Sequence, residues 1–142
     1  MKKVVLAYSG GLDTSFCVKY LSKDLGYEVH TALADTGGFS AEELAAVEKR
    51  AYALGAKSHV NLDVTGDYYS KCIKYMVFGN VLRNKTYPIS VSSERTFQAL
   101  AIVNYAKSIG ADAIAHGSTG AGNDQVRFDL TFEVFAPQME II

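Results

Sequence analysis

Near the start of the chain the stretch AYSGGLDTS, Ala7 to Ser15, sets two adjacent glycines among hydroxyls, with an aspartate just beyond them. Gly10 and Gly11 allow positive φ and a close approach of backbone to a ligand, and a helix starting there offers unpaired N–H groups at the positive end of its dipole. Ser9, Thr14 and Ser15 add hydroxyl donors, so an anionic phosphate can be surrounded by neutral hydrogen bonds without a lysine in the loop. Asp13 repels such an anion on its own and is read as belonging with Mg²⁺, directly or through water. The plainer reading is a tight turn in which Asp13 merely caps a helix. A bare glycine pair fits that reading, whereas the complete hydroxyl-flanked cluster favours the anion site. Neither GxxxxGK[ST] nor GxGxxG is present at this turn, which excludes the two commonest phosphate loops there.

A second cluster, AHGSTGAGNDQVRFDL, lies near the far end. Gly117, Gly120 and Gly122 make a pliable loop, and a helix starting at Asn123 brings Asn123 and Arg127 onto one face. Arg127 can take a carboxylate and Asp124 an ammonium, a pattern suited to a zwitterion. The alternative is an exposed helix start with a local Asp124–Arg127 pair worth a few tenths of a kcal/mol, about 0.2–0.5. From the residues alone the two readings stand level. His116 is read as a hydrogen-bonded structural histidine; His30 and His59 have no partners at metal spacing, so no metal cage is implied.

The elements that must hold these clusters follow from periodicity. Val4 to Tyr8, Glu28 to Ala34, the stretch KSHVNLDV and Ala113 to Ala115 read as strands, the first covered on both faces. Phe16, Tyr20 and Leu21 at helical spacing predict a helix ending at Gly26. Ser40 as N-cap, Glu43 at the capping-box position and Gly55 as the stop predict a second. Further helices are expected over Tyr68 to Phe78, Ser93 to Ile109, and Asn123 to Ala136, where Val126, Leu130 and Val134 recur until Pro137; MEII then begins another apolar run. The segment GNVLRNKTYPIS reads as an extended excursion. Strands alternating with helices predict an α/β fold: a parallel sheet with helices on both faces and ligands at the carboxyl ends of the strands.

At 142 residues and 49% hydrophobic, the chain suits one domain built on one good core. A formal net charge of −1 gives no broad reason to expect a nucleic-acid groove or an anionic membrane partner. The apolar run in MKKVVLAY stops at Ser9, far short of the roughly 20 residues of a membrane span. Cys17 and Cys72 form no metal-ligand spacing and suit a reducing compartment, so a cytoplasmic protein is expected. Tyr68, Tyr69 and Tyr75 on one helix are read as packing residues and not as a base-stacking platform.

The loop SGGLDTS resembles the pyrophosphate-binding loop of the N-type ATP pyrophosphatases. The three stretches AYSGGLDTS, YPISVSSER and AHGSTGAGNDQVRFDL, in this order and at these separations, resemble the argininosuccinate synthase family over residues 1 to 142. The resemblance implies a Rossmann-like adenine nucleotide alpha hydrolase (HUP/PP-loop) fold. It also implies an ATP-dependent ligase of arginine biosynthesis that adenylates citrulline with release of pyrophosphate, then lets aspartate displace AMP. Carried across, it implies ATP binding by Ala7, Tyr8, Ser9, Gly10, Gly11, Leu12, Asp13, Thr14, Ser15, Ala34 and Gly117, with Mg²⁺ entering through the ATP phosphates. Citrulline falls to Tyr87, Ser92, Asn123 and Arg127, and aspartate to Thr119, Asn123 and Asp124; Asp13, Arg95 and Asp124 are the expected aids to the chemistry, Arg95 through its charge. The chain reads Arg95-Thr96 where many relatives read Arg-Pro, and ADTGG where ADIGQ or ANIGQ is usual. Family chains are longer, so residues 1–142 are expected to be a single nucleotide-binding domain lacking the part that completes the citrulline site and the oligomer contacts, inactive alone. The full-length protein is implied to be a homotetramer. Two rivals share parts of this pattern: a tRNA-thiolating PP-loop protein, which wants a cysteine pair and a basic face, and a non-catalytic nucleotide-binding module.

Overall fold

The stretch KVVLA, rich in β-branched residues, forms β1 (Lys3–Ala7), and Val4, Val5 and Leu6 are all completely buried. A strand shielded on both faces has to lie inside a sheet covered by helices on each side. The computed structural model, which describes residues 1–120 and 122–142, shows that arrangement. β2 (Glu28–Asp35) and β3 (Ser58–Asp63) continue the sheet on one side of β1, while β6 (Ala113–His116) and β7 (Glu140–Ile141) continue it on the other. The order is β3-β2-β1-β6-β7 and every pairing is parallel. Strand order reverses between β1 and β6, and their register aligns Ala7 with His116. The loops leaving these two strands therefore emerge side by side, at the point where open parallel sheets bind ligands.

Helix α1 (Leu12–Lys19), extended by a π-helical turn over Tyr20–Asp24, and α2 (Ala41–Leu54) cover one face. Val18, Leu21, Val47 and Ala51 pack there on Val4, Leu6, Val29 and Leu33. Helices α5 (Ser90–Ser108) and α6 (Asn123–Phe135) cover the other, with Ile102, Val103 and Phe132 against Val5, Ala32 and Ile114. Between β3 and α5 the chain makes α3 (Thr65–Tyr68), a π-helical turn (Tyr69–Ile73), α4 (Lys74–Phe78) and a hairpin of β4 (Leu82–Arg83) with β5 (Tyr87–Pro88). The hairpin is the excursion expected from GNVLRNKTYPIS; Asn84 and Lys85 turn it with φ of 55° and 61°.

Some expectations shift. α5 begins at Ser90 instead of Ser93, because the Ser90 carbonyl accepts from Ser93 Oγ (2.8 Å) and from the Tyr68 hydroxyl (2.6 Å), which holds an extra turn in place. Tyr68 is buried on Phe97, but Tyr69 and Tyr75 are each 60% exposed, so the packing role expected of all three belongs to Tyr68 alone. The π-helical turn changes the angular spacing between Tyr68 and Tyr75, so the sequence spacing no longer puts them on one face.

α2 shows the predicted capping box: Glu43 N–H donates to Ser40 Oγ (3.2 Å) and Ser40 N–H to the Glu43 carboxylate (2.8 Å). Gly55 closes the helix in the left-handed region. The Ser40 backbone N–H first, and then its hydroxyl, hold the Glu43 carboxyl below the ordinary glutamate value of about 4.5. A depressed folded value means that the charge stabilises above the unfolded value and that its contribution vanishes as pH falls through the folded one. Glu43→Gln keeps an acceptor at this position. It is therefore expected to lower the urea midpoint at pH 6 while losing less stability than the parent between pH 5 and 3; parallel losses in the two proteins would contradict this.

Candidate functional site

α2 has a side-chain cap; the two helices that start at the β1 and β6 loops do not. Gly11 is the N-cap of α1 and Gly122 that of α6, and neither supplies a side-chain bond. Their first-turn donors are left for something else. Among the described residues, the N–H groups of Gly10, Leu12, Asp13 and Thr14 make no hydrogen bond, while Ser15 N–H returns to the Gly11 carbonyl (3.0 Å). Internal bonding does not close this hollow.

The loop is held from behind. Gly10 has φ 75°, its carbonyl accepts from the Arg50 guanidinium of α2, and a Cβ there would lie 2.8 Å from Val47 Cγ2. Ser9 and Thr14 hydroxyls pair across the turn (3.2 Å), Gly11 N–H donates to Ser9 Oγ (3.3 Å), and the buried Tyr8 reaches Ser15 Oγ (3.4 Å). The hydroxyls thus set the loop's shape as well as standing at its edge. Opposite them Gly117 follows β6. A Cβ on Gly117 would fall 2.9 Å from Thr14 Cγ2 and 3.2 Å from Thr14 N, so only glycine lets the second loop sit against the first turn of α1.

A cleft of about 440 Å³ opens at this junction. Ala7, Ala32, Leu33 and Ala34 form its apolar floor, Glu94, Arg95 and Gln98 of α5 one wall, and Asp13, Gly117 and Asp124 its mouth. That size and mixture suit a small-molecule site. Next to it lies a more polar hollow of about 460 Å³, lined by Thr119, Gly122, Asn123, Gln125 and Arg127, which shares Asp13, Gly117, Ser118 and Asp124 with the cleft. Two ligands seated in these spaces would meet at the shared residues.

A run of polar contacts crosses the boundary. Gln98 reaches the Ala34 carbonyl (3.5 Å) and accepts from Arg95 Nη1 (2.8 Å); Arg95 Nε donates to Asp124 Oδ2 (3.2 Å). Arg127 donates to Asp124 Oδ1 (2.8 Å) and to Ser92 Oγ (3.1 Å). The local Asp124–Arg127 pair is present, and Arg95 joins it from α5. These charges are 27–44% exposed, so each pair contributes little to stability. A zwitterion entering here would exchange partners with them: its carboxylate for one guanidinium's bond, its ammonium for a share of Asp124.

The structure places the residues singled out in the sequence as follows. Ala7, Tyr8, Ser9, Gly11, Leu12, Asp13, Thr14, Ala34, Arg95, Gly117 and Asp124 line the cleft, with Gly10 and Ser15 in the same loop; Thr119, Asn123 and Arg127 line the second hollow. Ser92 reaches that hollow through Arg127. Tyr87 sits on the β4–β5 hairpin, 54% exposed, outside both linings. The cleft also takes in Thr36, Phe39, Glu94, Gln98, His116, Ser118 and Phe128, which sequence reasoning did not assign to a ligand. Among them Gln98 carried a signal, three residues beyond Arg95 and so on the same helical face. Among the described residues no group of His, Cys, Asp or Glu could form a metal cage, both cysteines are free, and no helix is long and apolar enough to cross a membrane.

Comparison with known proteins bears directly on this geometry. The family model described as "Arginosuccinate synthase N-terminal HUP domain" matches residues 3–142. The argininosuccinate synthase of Xanthomonas axonopodis pv. citri is 47% identical over 146 residues, covering 99% of this chain and 35% of its own length. That of Xylella fastidiosa is 44% identical, with 99% and 36% covered, and that of Pyrobaculum aerophilum 42%, with 99% and 35%. The chain thus spans about a third of the length of these relatives. With a parallel α/β sheet, a glycine turn at its switch point and a family match over nearly every residue, the chain belongs to the argininosuccinate synthase family, in the part that forms its N-terminal HUP domain.

Proposed function

We propose that residues 1–142 are a single nucleotide-binding domain that holds ATP for an argininosuccinate-forming ligase. The observation that carries this is the set of unpaired N–H groups at Leu12, Asp13 and Thr14, residues that line a cleft between β1 and β6, with that of Gly10 in the same loop. The residues present fit ATP. Backbone donors and a helix dipole suit a polyphosphate, and the apolar floor at Ala32 and Ala34 suits a base. Mg²⁺ fits as well: Asp13 and Asp124 stand at the mouth, where a divalent ion carried by the phosphates would offset their charge, although no protein-only cage exists among the described residues. When bound, ATP supplies the adenylyl group that activates the citrulline ureido oxygen, pyrophosphate leaves, and the aspartate amine then displaces AMP.

The chain's own residues contribute by position and charge. Arg95 stabilises negative charge at the phosphates, Arg127 and Asn123 hold citrulline with Ser92 and Tyr87, and Thr119, Asn123 and Asp124 hold aspartate. The seam at Asp13, Gly117, Ser118 and Asp124 is where nucleotide and amino acid would meet. A cytoplasmic location and a homotetrameric full-length protein complete the reading.

Isothermal titration of the chain with ATP and Mg²⁺ is expected to show binding, and incubation with ATP, citrulline and aspartate to yield no argininosuccinate. Absence of ATP binding would remove the first half of the proposal; robust turnover by the chain alone would remove the second. Arg127→Ala is expected to leave ATP affinity within about twofold and to weaken citrulline about tenfold, the loss of roughly one charge-assisted hydrogen bond. A domain with no citrulline affinity before the substitution would instead favour a plain nucleotide-binding module.

A further inference from the structure

The side chain of His116 is only 9% exposed and has a partner on each ring nitrogen. Its Nε2 lies 2.7 Å from Asp129 Oδ1 on α6, and its Nδ1 accepts the Ser118 backbone N–H (3.1 Å). The ring stacks on Phe128 at 5.7 Å and 21° and borders Phe132, so two aromatic rings of α6 brace it. We propose that His116 and Asp129 form a positioning pair: Asp129 fixes His116 in its Nε2–H tautomer so that the bare Nδ1 can hold the Gly117–Ser118 loop against the first turn of α1.

The chemistry requires this tautomer. An ionised carboxylate only accepts, so Asp129 calls for the proton on Nε2, and a backbone N–H only donates, so Ser118 calls for a lone pair on Nδ1. Asp129 is itself anchored, because Gln125 Nε2 donates to its other oxygen. The consequence reaches the cleft through Gly117, which lies between His116 and Ser118 in the chain and packs so closely on Thr14 that a Cβ would not fit. Movement of Ser118 therefore moves the wall opposite the unpaired amides of α1. The effect on ligand affinity rests on the nucleotide reading above; the tautomer and the Ser118 bond do not.

Asp129→Asn separates this from a mere packing role. The new side-chain carbonyl satisfies Gln125, which leaves its amide N–H₂ facing Nε2. With Gln125 still donating to position 129, the imidazole then carries its proton on Nδ1, pointing at the Ser118 N–H, as when a triad aspartate is replaced by its amide. Imidazole ¹⁵N NMR on the unliganded chain is expected to show Nε2–H in the parent and Nδ1–H in Asp129→Asn, with faster exchange of the Ser118 amide proton. ATP affinity is expected to fall about tenfold in Asp129→Asn, consistent with one unsatisfied donor. His116→Asn, whose amide oxygen stands near the Nδ1 position, is expected to stay within about threefold of the parent, and His116→Gln, which imitates only Nε2, to lose about tenfold.

An Nδ1–H tautomer in the parent overturns the proposal outright, even if no variant folds. So does a reversed tautomer with unchanged Ser118 exchange, or equal ATP affinities for His116→Asn and His116→Gln. If the parent binds no ATP, the nucleotide reading fails by itself, and the tautomer and exchange measurements still decide the positioning pair.

Discussion

Replacing Gly10 by alanine is expected to destabilise the fold by about 2–5 kcal/mol and to weaken ATP binding at least tenfold. Two independent costs add. The backbone holds φ at 75°, where an L side chain strains by about 1–2 kcal/mol. The new Cβ would also lie 2.8 Å from Val47 Cγ2, and Val47 is a buried member of the core between α2 and the sheet. Overpacking of this kind costs about 1–3 kcal/mol. The Gly10 carbonyl cannot simply retreat, because Arg50 holds it from the same helix. Relief has to come from the loop itself, which turns the Leu12, Asp13 and Thr14 amides away from their present aim. Gly26→Ala is the control: its φ is 66°, but nothing lies within 4 Å of its Cβ position, so only the backbone cost applies. Urea denaturation of both variants is the measurement. Equal losses would show that Val47 imposes nothing on the loop.

The contrast between Gly10 and Gly26 also shows which features were legible in the sequence. Glycine punctuation and capping residues mark where helices begin and end: Ser40, Glu43 and Gly55 bound α2 as read, and the glycine turn stands between β1 and α1 as expected. Which face of a helix is buried was not legible. Val126, Leu130 and Val134 recur at helical spacing, yet they are 58%, 59% and 63% exposed, while α6 buries Thr131 and Phe132. Phe16 and Tyr20 likewise stack on one another at the surface of α1, and Thr14, Val18 and Leu21 face inward. Apolar spacing reports a helix but not the direction of its neighbour, since both faces here carry apolar residues. The site divides in the same way. Loop residues were visible as a contiguous string, whereas Glu94, Gln98 and His116 become lining only when α5 and β6 are brought to the end of β1.

Arg95→Ala is expected to weaken ATP binding by about 10–100-fold while leaving adenosine affinity within about twofold. A hydrogen bond to a charged group is worth about 1.5–3 kcal/mol, and the guanidinium is the cationic side chain lining the cleft. Its removal does more than delete an attraction. Asp124 now divides its oxygens between Arg95 and Arg127, and without Arg95 one oxygen is left beside the phosphate path. The carboxylate then opposes the anion it formerly helped to accommodate. Adding Asp124→Asn to Arg95→Ala is therefore expected to recover part of the lost affinity, a non-additive result of the kind that contacting residues give. Arg95→Lys is expected to fall between, because an ammonium keeps the charge but cannot hold Asp124 and Gln98 at once in the planar geometry seen here. Rising salt should narrow the gap between parent and variant, since the partly exposed guanidinium is open to screening. If ATP and adenosine affinities fall together, Arg95 braces α5 against α6 and does not face the phosphates.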